Sequence, residues 1–575
     1  MTSAAFRTGT AGFHIISLIS PYKCKYPLKG WDPYSMNILG IHGGVTLNQH
    51  EPNAALIRDG QLIVACEEER FIRVKSPRGH LPLNAVGACL EESGLVMEDV
   101  DLVVHAGETY DDMAVRIRDY LRHYFGFAPQ LRLINHQLAH LASAFFGSGF
   151  DDAMCLSYDA YGDRLSGALA VGGADGLEII ETLPSDNSLG LFYATMTSYL
   201  GFRPAEDEYK VMGLAAYAAD GPDLSSFARP VADGYQVDVG FLRQDPPNSS
   251  VFEPFYGSRL VDLLGPPRRP GEPPAQRHRE IAFSTQRTLE ACAVSLVTHL
   301  HERTGMSDLC LAGGIALNCS ANRIIAALPF VRRLYVQPAA SDRGLALGCA
   351  LQGAFEAGTP VKGIEHVFTG PTYGSEDYAN ALKNFGQQYS ELADPGETAA
   401  RLLAEGKIVG WFQGRSEYGP RALGNRSIIA DPRQARMKDE INVRVKFREE
   451  FRPFAPAVLA ERAGELFDLT GPSPFMTVAY PVREGWKARL GAVTHVDGTG
   501  RVQTVDAGTA PGFHDLIRRF ESATSVPAVL NTSFNVRGEP IVETPADALS
   551  TFARSGIDAL VLDRFLVEKP RGRGP

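Results

Sequence analysis

Three stretches of this chain share a pattern that restricts its architecture more than any other feature. Each is a short, continuously apolar run that ends in a turn carrying glycine and a polar group. The first is Asn37-Ile38-Leu39-Gly40-Ile41-His42-Gly43-Gly44, the second runs from Ala153 through Tyr158, Asp159 and Tyr161 to Asp163, and the third from Leu309 through Ala312 to Gly313 and Gly314. Strands apolar along their whole length are covered on both faces, which points to an α/β fold. Ligands in such folds collect beyond the carboxyl ends of the strands. His42, Asp159, Gly313 and Gly314 stand at such ends.

A second constraint is the stretch Ile134-Asn135-His136-Gln137-Leu138-Ala139-His140, which leads into Leu141 to Phe146. In a helix, His136 and His140 project from one face a turn apart, and two neutral imidazoles so placed can share a metal. No Glu follows His136, so this is not the zinc-protease pattern. Any further ligands must come from elsewhere. Asp342 stands at another strand-to-helix switch, after the strand Arg333 to Val336 and before a helix Leu345 to Ala357, where capping is the competing role.

At 575 residues the chain exceeds one hydrophobic core, and about 100–200 residues per domain implies at least two. Its 56 Lys+Arg against 67 Asp+Glu give a net charge of −11. That balance disfavours nucleic acid or an anionic membrane as the main partner and suits a cationic small molecule. The eight cysteines are scattered without a C-x-x-C pair and read as reduced core thiols of a cytoplasmic protein. No apolar run approaches the roughly 20 residues of a membrane span. Met36 directly precedes the first strand, so residues 1–35 are read as an extension outside the fold.

Asp59-Gly60, between alternating apolar residues, predicts a hairpin. Glu67-Glu68-Glu69-Arg70 reads as a solvated charge run. Lys210 lies among Glu206, Asp207 and Glu208, beside a glycine-broken helix. Residues 221–280, rich in Pro, Gly and Arg, read as irregular, ahead of a long helix from about Ile281 to Thr304. The strand, double glycine and helix start around Gly313, Gly314 and Asn318 suit a nucleotide packed on backbone. They lack both a third glycine and a Walker lysine.

Composition shifts after a break at 358–394. Between Arg415 and Arg452 the chain carries an excess of cations, among them Arg421, Lys446 and Arg452, interleaved with Phe447, Phe451 and Phe454. Guanidinium forks in such a setting form an anion pocket. Arg501, in a short strand Arg501 to Val505, and the loop Asn531-Thr532-Ser533-Phe534-Asn535-Val536-Arg537 could complete it. No G-x-S-x-G surrounds Ser533, so a nucleophilic serine is not supported.

Four blocks together resemble the O-carbamoyltransferase family of nodulation-factor and cephalosporin carbamoyltransferases, in particular its aminoglycoside branch. They are Glu208-Tyr209-Lys210-Val211-Met212-Gly213-Leu214, Gly419-Pro420-Arg421-Ala422-Leu423-Gly424-Asn425-Arg426-Ser427, Phe451-Arg452-Pro453-Phe454-Ala455-Pro456 and Leu530-Asn531-Thr532-Ser533-Phe534-Asn535. The resemblance implies an actin/hexokinase-like (Kae1-like) domain over 36–365, a linker over 366–396 and an α+β YrdC-like domain over 397–575. It implies that carbamoyl phosphate and ATP, the latter with Mg2+, form carbamoyl adenylate in the second domain. The first domain would then pass the carbamoyl group to a hydroxyl of an antibiotic, an aminoglycoside such as tobramycin, so that two separate pockets are expected.

By the same resemblance His136, His140, Asp159 and Asp342 would hold a divalent metal. Two imidazoles and two carboxylates suit iron, manganese or zinc equally, and iron(II) is the family's implication. Arg421, Lys446, Arg501 and Ser533 would act on the phosphates, with Lys210, Arg452, Asn531 and Arg537 assisting in binding. Gly313, Gly314 and Asn318 would hold the adenosine, and His42 would be a general base or phosphate contact. A tRNA threonylcarbamoyl-adenosine enzyme or subunit is the alternative, which the acidic net charge disfavours. A sugar kinase of the same fold class would leave the arginine-rich half unexplained.

Overall fold

The computed structural model describes residues 36–44, 49–243, 254–386 and 388–569. The expected extension over 1–35 lies outside the described residues. From Met36 the chain builds two five-stranded sheets with one topology. In the first, strands Gln61–Glu67, Asn53–Arg58, Asn37–His42, Leu102–Ala106 and Gln130–Ile134 lie side by side in that order. In the second the order is Gly176–Pro184, Leu165–Gly173, Ala153–Gly162, Asp308–Ala312 and Arg333–Val336. Each is an antiparallel meander of three strands, whose first strand is then flanked by two parallel ones. The architecture is therefore a duplicated α/β unit.

Duplication puts equivalent positions at one place. The helix after the fifth strand is His136–Ser148 in the first unit and Leu345–Glu356 in the second. These helices cross closely, because a side chain on Gly348 would come within 1.8 Å of the Ala139 carbonyl. Leu345–Glu356 also lies on strand Asn37–His42, where a Cβ at Gly40 would stand 1.8 Å from the Ala346 carbonyl. Gly40→Ala is therefore expected to cost about 3 kcal/mol or more, read as a lowered midpoint in urea.

The hairpin over Asp59-Gly60 forms as expected, with φ of 53° and 74° at its two central residues, both in the left-handed region that a type I′ turn needs. Two other expectations fail. Glu67, Glu68, Glu69 and Arg70 are all buried, with partners supplied from distant parts of the chain. The stretch 221–280 is less irregular than its composition suggests. It contains a hairpin of Ala228–Val231 and Gly234–Val237 and a helix Ser258–Leu264, and the long helix already begins at Gln276.

The rest of the chain forms one mixed eight-stranded sheet: Ser390–Glu391, Phe565–Glu568, Ala559–Leu562, Val409–Phe412, Arg426–Ala430, Ala528–Ser533, Ala455–Leu459 and Gln503–Val505. Tyr378 and Leu382, on helix Ser375–Phe385, are buried in its core. The strand expected over Arg501 to Val505 divides at Val502, with Thr499–Arg501 pairing in a separate two-stranded sheet. Among the described residues no helix is long and apolar enough to cross a membrane. The seven described cysteines are free and buried.

Candidate functional site

His136 and His140 open the His136–Ser148 helix, whose N-cap Asn135 accepts a hydrogen bond from the Gln137 N–H. Asp163 fixes the same helix start by accepting from the His136 N–H at 2.7 Å. The two imidazoles meet Asp159, from the end of the second unit's first strand, and Asp342, from the turn Asp342–Gly344 before the helix Leu345–Glu356. His136 Nε2 is 3.4 Å from Asp159 Oδ2 and 3.5 Å from Asp342 Oδ1. His140 Nε2 is 3.2 and 3.6 Å from the same atoms. One donor atom from each of the four residues lies within 4.8 Å of the others.

That spacing fits a single ion, since four ligands about 2.1 Å from a tetrahedral centre stand about 3.4 Å apart. The charges fit as well. Burial pushes the His140 imidazole down, but hydrogen bonds to Asp159 and Asp342 outweigh it and hold the ring up at about 9. The two carboxylates thus draw positive charge to the centre, which a divalent cation would supply.

Each carboxylate also has polar neighbours at its other oxygen. Asp159 Oδ1 accepts from the Ala160 N–H at 2.8 Å and the Gly314 N–H at 3.3 Å. Asp342 Oδ2 lies 3.5 Å from His42 Nε2 and 3.7 Å from His50 Nε2. His42 is 1 % exposed, stacks on the buried His105 at 5.9 Å, and is pushed down by burial. This placement makes it an outer support of Asp342. Such supports are worth about 10- to 100-fold in metal affinity, so His42→Ala is expected to weaken metal binding by that factor in a calorimetric titration.

A cavity of about 360 Å³ runs from Asp159 and Asp342 to Arg421, Arg448, Arg452 and Arg501, a size suited to a small-molecule site. Instead of two separate pockets, one chamber joins the acidic and basic ends. Arg421 rides on a loop shaped by the buried Glu417, whose Oε1 accepts from the N–H groups of Leu423, Asn425 and Arg426. Burial and the neighbouring Arg501 push Arg421 down to about 9. Burial and Arg452 likewise depress Arg448. A guanidinium keeps its proton in proteins, so these depressions mark repulsion that a bound anion relieves.

Asn531 and Ser533 line the chamber, and Asn531 Nδ2 donates to the Ala422 carbonyl and to Gln503. Lys446 is buried, its ammonium donating to Ser533 O and, at 2.7 Å, to Asn535 Oδ1, so it holds the loop that forms the wall. Lys210 pairs with Asp207 at 2.9 Å and Glu449 at 3.2 Å, tying its helix to the arginine loop. Arg452 also lies over the Tyr209 ring.

Gly314 and Asn318 border the chamber, and Gly313 abuts the Tyr158 backbone, where a side chain would clash. Asn318 caps the Cys319–Ala326 helix. Arg537 is exposed and donates to the Phe447 carbonyl, outside the chamber wall. Sequence reasoning missed His50, Glu51 and Arg448. The first two lie in an irregular stretch before a strand, and Arg448 is one cation among many.

Residues 112–351 match the sequence profile of the carbamoyltransferase N-terminus, and residues 400–569 that of the carbamoyltransferase C-terminus. Nodulation protein NolNO of Sinorhizobium fredii is 39% identical over 93% of this chain and 83% of its own length. The chain belongs to the carbamoyltransferase family. Nodulation protein NolO of Bradyrhizobium diazoefficiens is 42% identical over 76% of the carbamoyltransferase described here and 79% of NolO. The 3'-hydroxymethylcephem-O-carbamoyltransferase of Amycolatopsis lactamdurans is 35% identical over 46% of this carbamoyltransferase and 50% of that enzyme. The four-residue acidic and imidazole cluster and the arginine loop fall inside the two matched regions.

Proposed function

We propose that this carbamoyltransferase is ATP-dependent and works in two steps within the one chamber. The observation that carries the reading is the chamber itself, with an anion-seeking arginine end and a metal-ligating end facing the same space. In the first step carbamoyl phosphate is hydrolysed to phosphate and carbamate. A carbamate oxygen then bonds to the α-phosphorus of magnesium-bound ATP as the bond to the bridging oxygen breaks, giving carbamoyl adenylate and pyrophosphate. Arg421, Arg448, Arg452 and Arg501 neutralise the phosphate oxygens, Asn531 and Ser533 orient them, and Lys446 keeps the 533–535 loop in place. Preorganised cations of this kind commonly carry the largest share of barrier lowering in phosphoryl chemistry.

In the second step an acceptor hydroxyl oxygen bonds to the carbamoyl carbon as the bond to AMP breaks. The hydroxyl proton passes to His50, the histidine that borders the chamber among the described residues. A divalent ion held by His136, His140, Asp159 and Asp342, which we take as iron(II), would supply Lewis-acid polarisation there. Gly314 and Asn318 form the floor on which the adenosine packs, between the two ends.

The duplicated sheets support an actin/hexokinase-like, Kae1-like unit over 36–365, and the mixed sheet a YrdC-like unit that takes in the helix Ser375–Phe385 and the strand Ser390–Glu391 of the expected linker along with the region from 397 onward. An aminoglycoside such as tobramycin is the acceptor we favour. Glu206 and Glu208 line the chamber, burial pushes Glu208 up to about 7, and an ammonium group beside it would relieve that strain. The test is pure protein with ATP, carbamoyl phosphate and a panel of hydroxylated antibiotics, read by mass. Gain of one carbamoyl group by an aminoglycoside supports the reading, whereas modification of uncharged acceptors alone rejects the acceptor class.

A further inference from the structure

The buried run at Glu67 to Arg70 lies where the metal-bearing units meet the arginine-bearing one, and its bonds are unusually directed. Glu67 and Arg70 are each 2 % exposed. Between them they take both backbone groups of Gly419. Glu67 Oε1 accepts from the Gly419 N–H at 2.9 Å, and Arg70 donates to the Gly419 carbonyl at 2.7 Å. Arg70 also donates to Glu67 Oε2 at 2.9 Å, which locks the two prongs together. Gly419 has φ of 111°, a conformation that strains any residue with a side chain.

The residues on either side extend the grip. Tyr418 donates its hydroxyl to the backbone carbonyl of Arg343. Arg421, on the chamber wall, follows two positions after Gly419. Arg343 itself follows Asp342, and its guanidinium is clamped by Glu51 at 2.8 Å and Glu69 at 3.2 Å. Asn53 completes the frame by donating to the Asp342 carbonyl at 2.9 Å. The turn that carries a metal carboxylate and the loop that carries a phosphate-binding arginine are therefore fastened through side chains that end on backbone groups, with Tyr418 making the direct link.

Cohesion alone is a poor explanation for these charges. Replacing buried ion pairs by apolar side chains of similar volume is often neutral or stabilising. Directed, fully buried hydrogen bonds add a fixed geometry, and for reacting groups a displacement of about 1 Å can cost about 100-fold. We propose that this network is a positioning strut that sets the separation of the two ends of the chamber. Carbamoyl adenylate made at the arginine end then presents its carbonyl carbon to the acceptor and not to water. Tyr418, Glu67 and Arg70 are positioning residues, and the inference rests on the two-step reading above.

Loosening the strut lets water replace the acceptor. The water oxygen bonds to the carbamoyl carbon, the bond to the AMP oxygen breaks, and AMP and carbamic acid leave without product. Tyr418→Phe removes one hydroxyl and nothing else. Arg70→Lys keeps the charge beside Glu67 while losing the forked reach to Gly419.

Both full-length variants are to be compared with the parent protein in ATP, carbamoyl phosphate and an acceptor that the parent carbamoylates, with AMP and carbamoylated product measured in the same mixture. The ratio of product to AMP is expected to fall about fivefold or more, while AMP formation stays within about twofold of the parent. The strut is overturned if product and AMP decline together at a constant ratio, or if neither changes. A parent protein that carbamoylates the acceptor without releasing AMP overturns the two-step reading instead, and the strut with it.

Discussion

Replacing His140 by alanine is expected to slow carbamoyl transfer about a thousandfold, the rate equivalent of about 4 kcal/mol. The ring is fully buried, and its Nε2 faces both Asp159 Oδ2 and Asp342 Oδ1. Without it three of the four residues that could hold an ion remain, and the two carboxylates lose the partner that holds positive charge between them. Release of AMP from ATP and carbamoyl phosphate should fall far less, because no arginine of the other end touches this ring. The comparison is made with transfer from supplied carbamoyl adenylate in one assay and AMP release in another. Equal losses in both would mean that the two ends do not divide the chemistry.

The converse variant is Lys446→Ala, expected to lower adenylate formation by a factor of about 100 to 1,000. Its ammonium holds Ser533 and Asn535, both on the chamber wall. Burial, Arg448 and Arg452 all push it down, so an anion bound nearby would stabilise its charge. Removing it frees the wall loop and takes one cation from the phosphate end, while leaving the His136, His140, Asp159 and Asp342 cluster untouched. Transfer from supplied carbamoyl adenylate should continue at more than about a third of the parent rate.

How much of this was legible in the sequence depended on the range of the interaction. The histidine pair was visible because a helix places i and i+4 on one face, and the buried helix that follows set its location. Asp159 and Asp342 stood at strand ends but became partners of the histidines only through the duplicated fold. That duplication shows in the sequence only as the shared pattern of the apolar runs ending at His42 and Asp159, which are the first strands of the two sheets. Glu67 to Arg70 misled for the same reason. A charge run reads as solvated when its partners, such as Gly419 and Ser76, lie outside the local window. Among the cations between Arg415 and Arg452, Arg426 and Arg415 serve backbone carbonyls and Arg433 pairs with Asp431. Arg421, Arg452 and Arg501, named from the sequence, do border the chamber, whereas Arg448 was passed over because which arginines face it is a property of the folded sheet.

The measurement that bears most directly on the central claim is a rapid quench of the protein with ATP and carbamoyl phosphate in the absence of any acceptor. Carbamoyl adenylate is expected on the protein, with pyrophosphate released in equal amount and none released when carbamoyl phosphate is omitted. Formation of ADP in place of pyrophosphate, or pyrophosphate release that ignores carbamoyl phosphate, would contradict it.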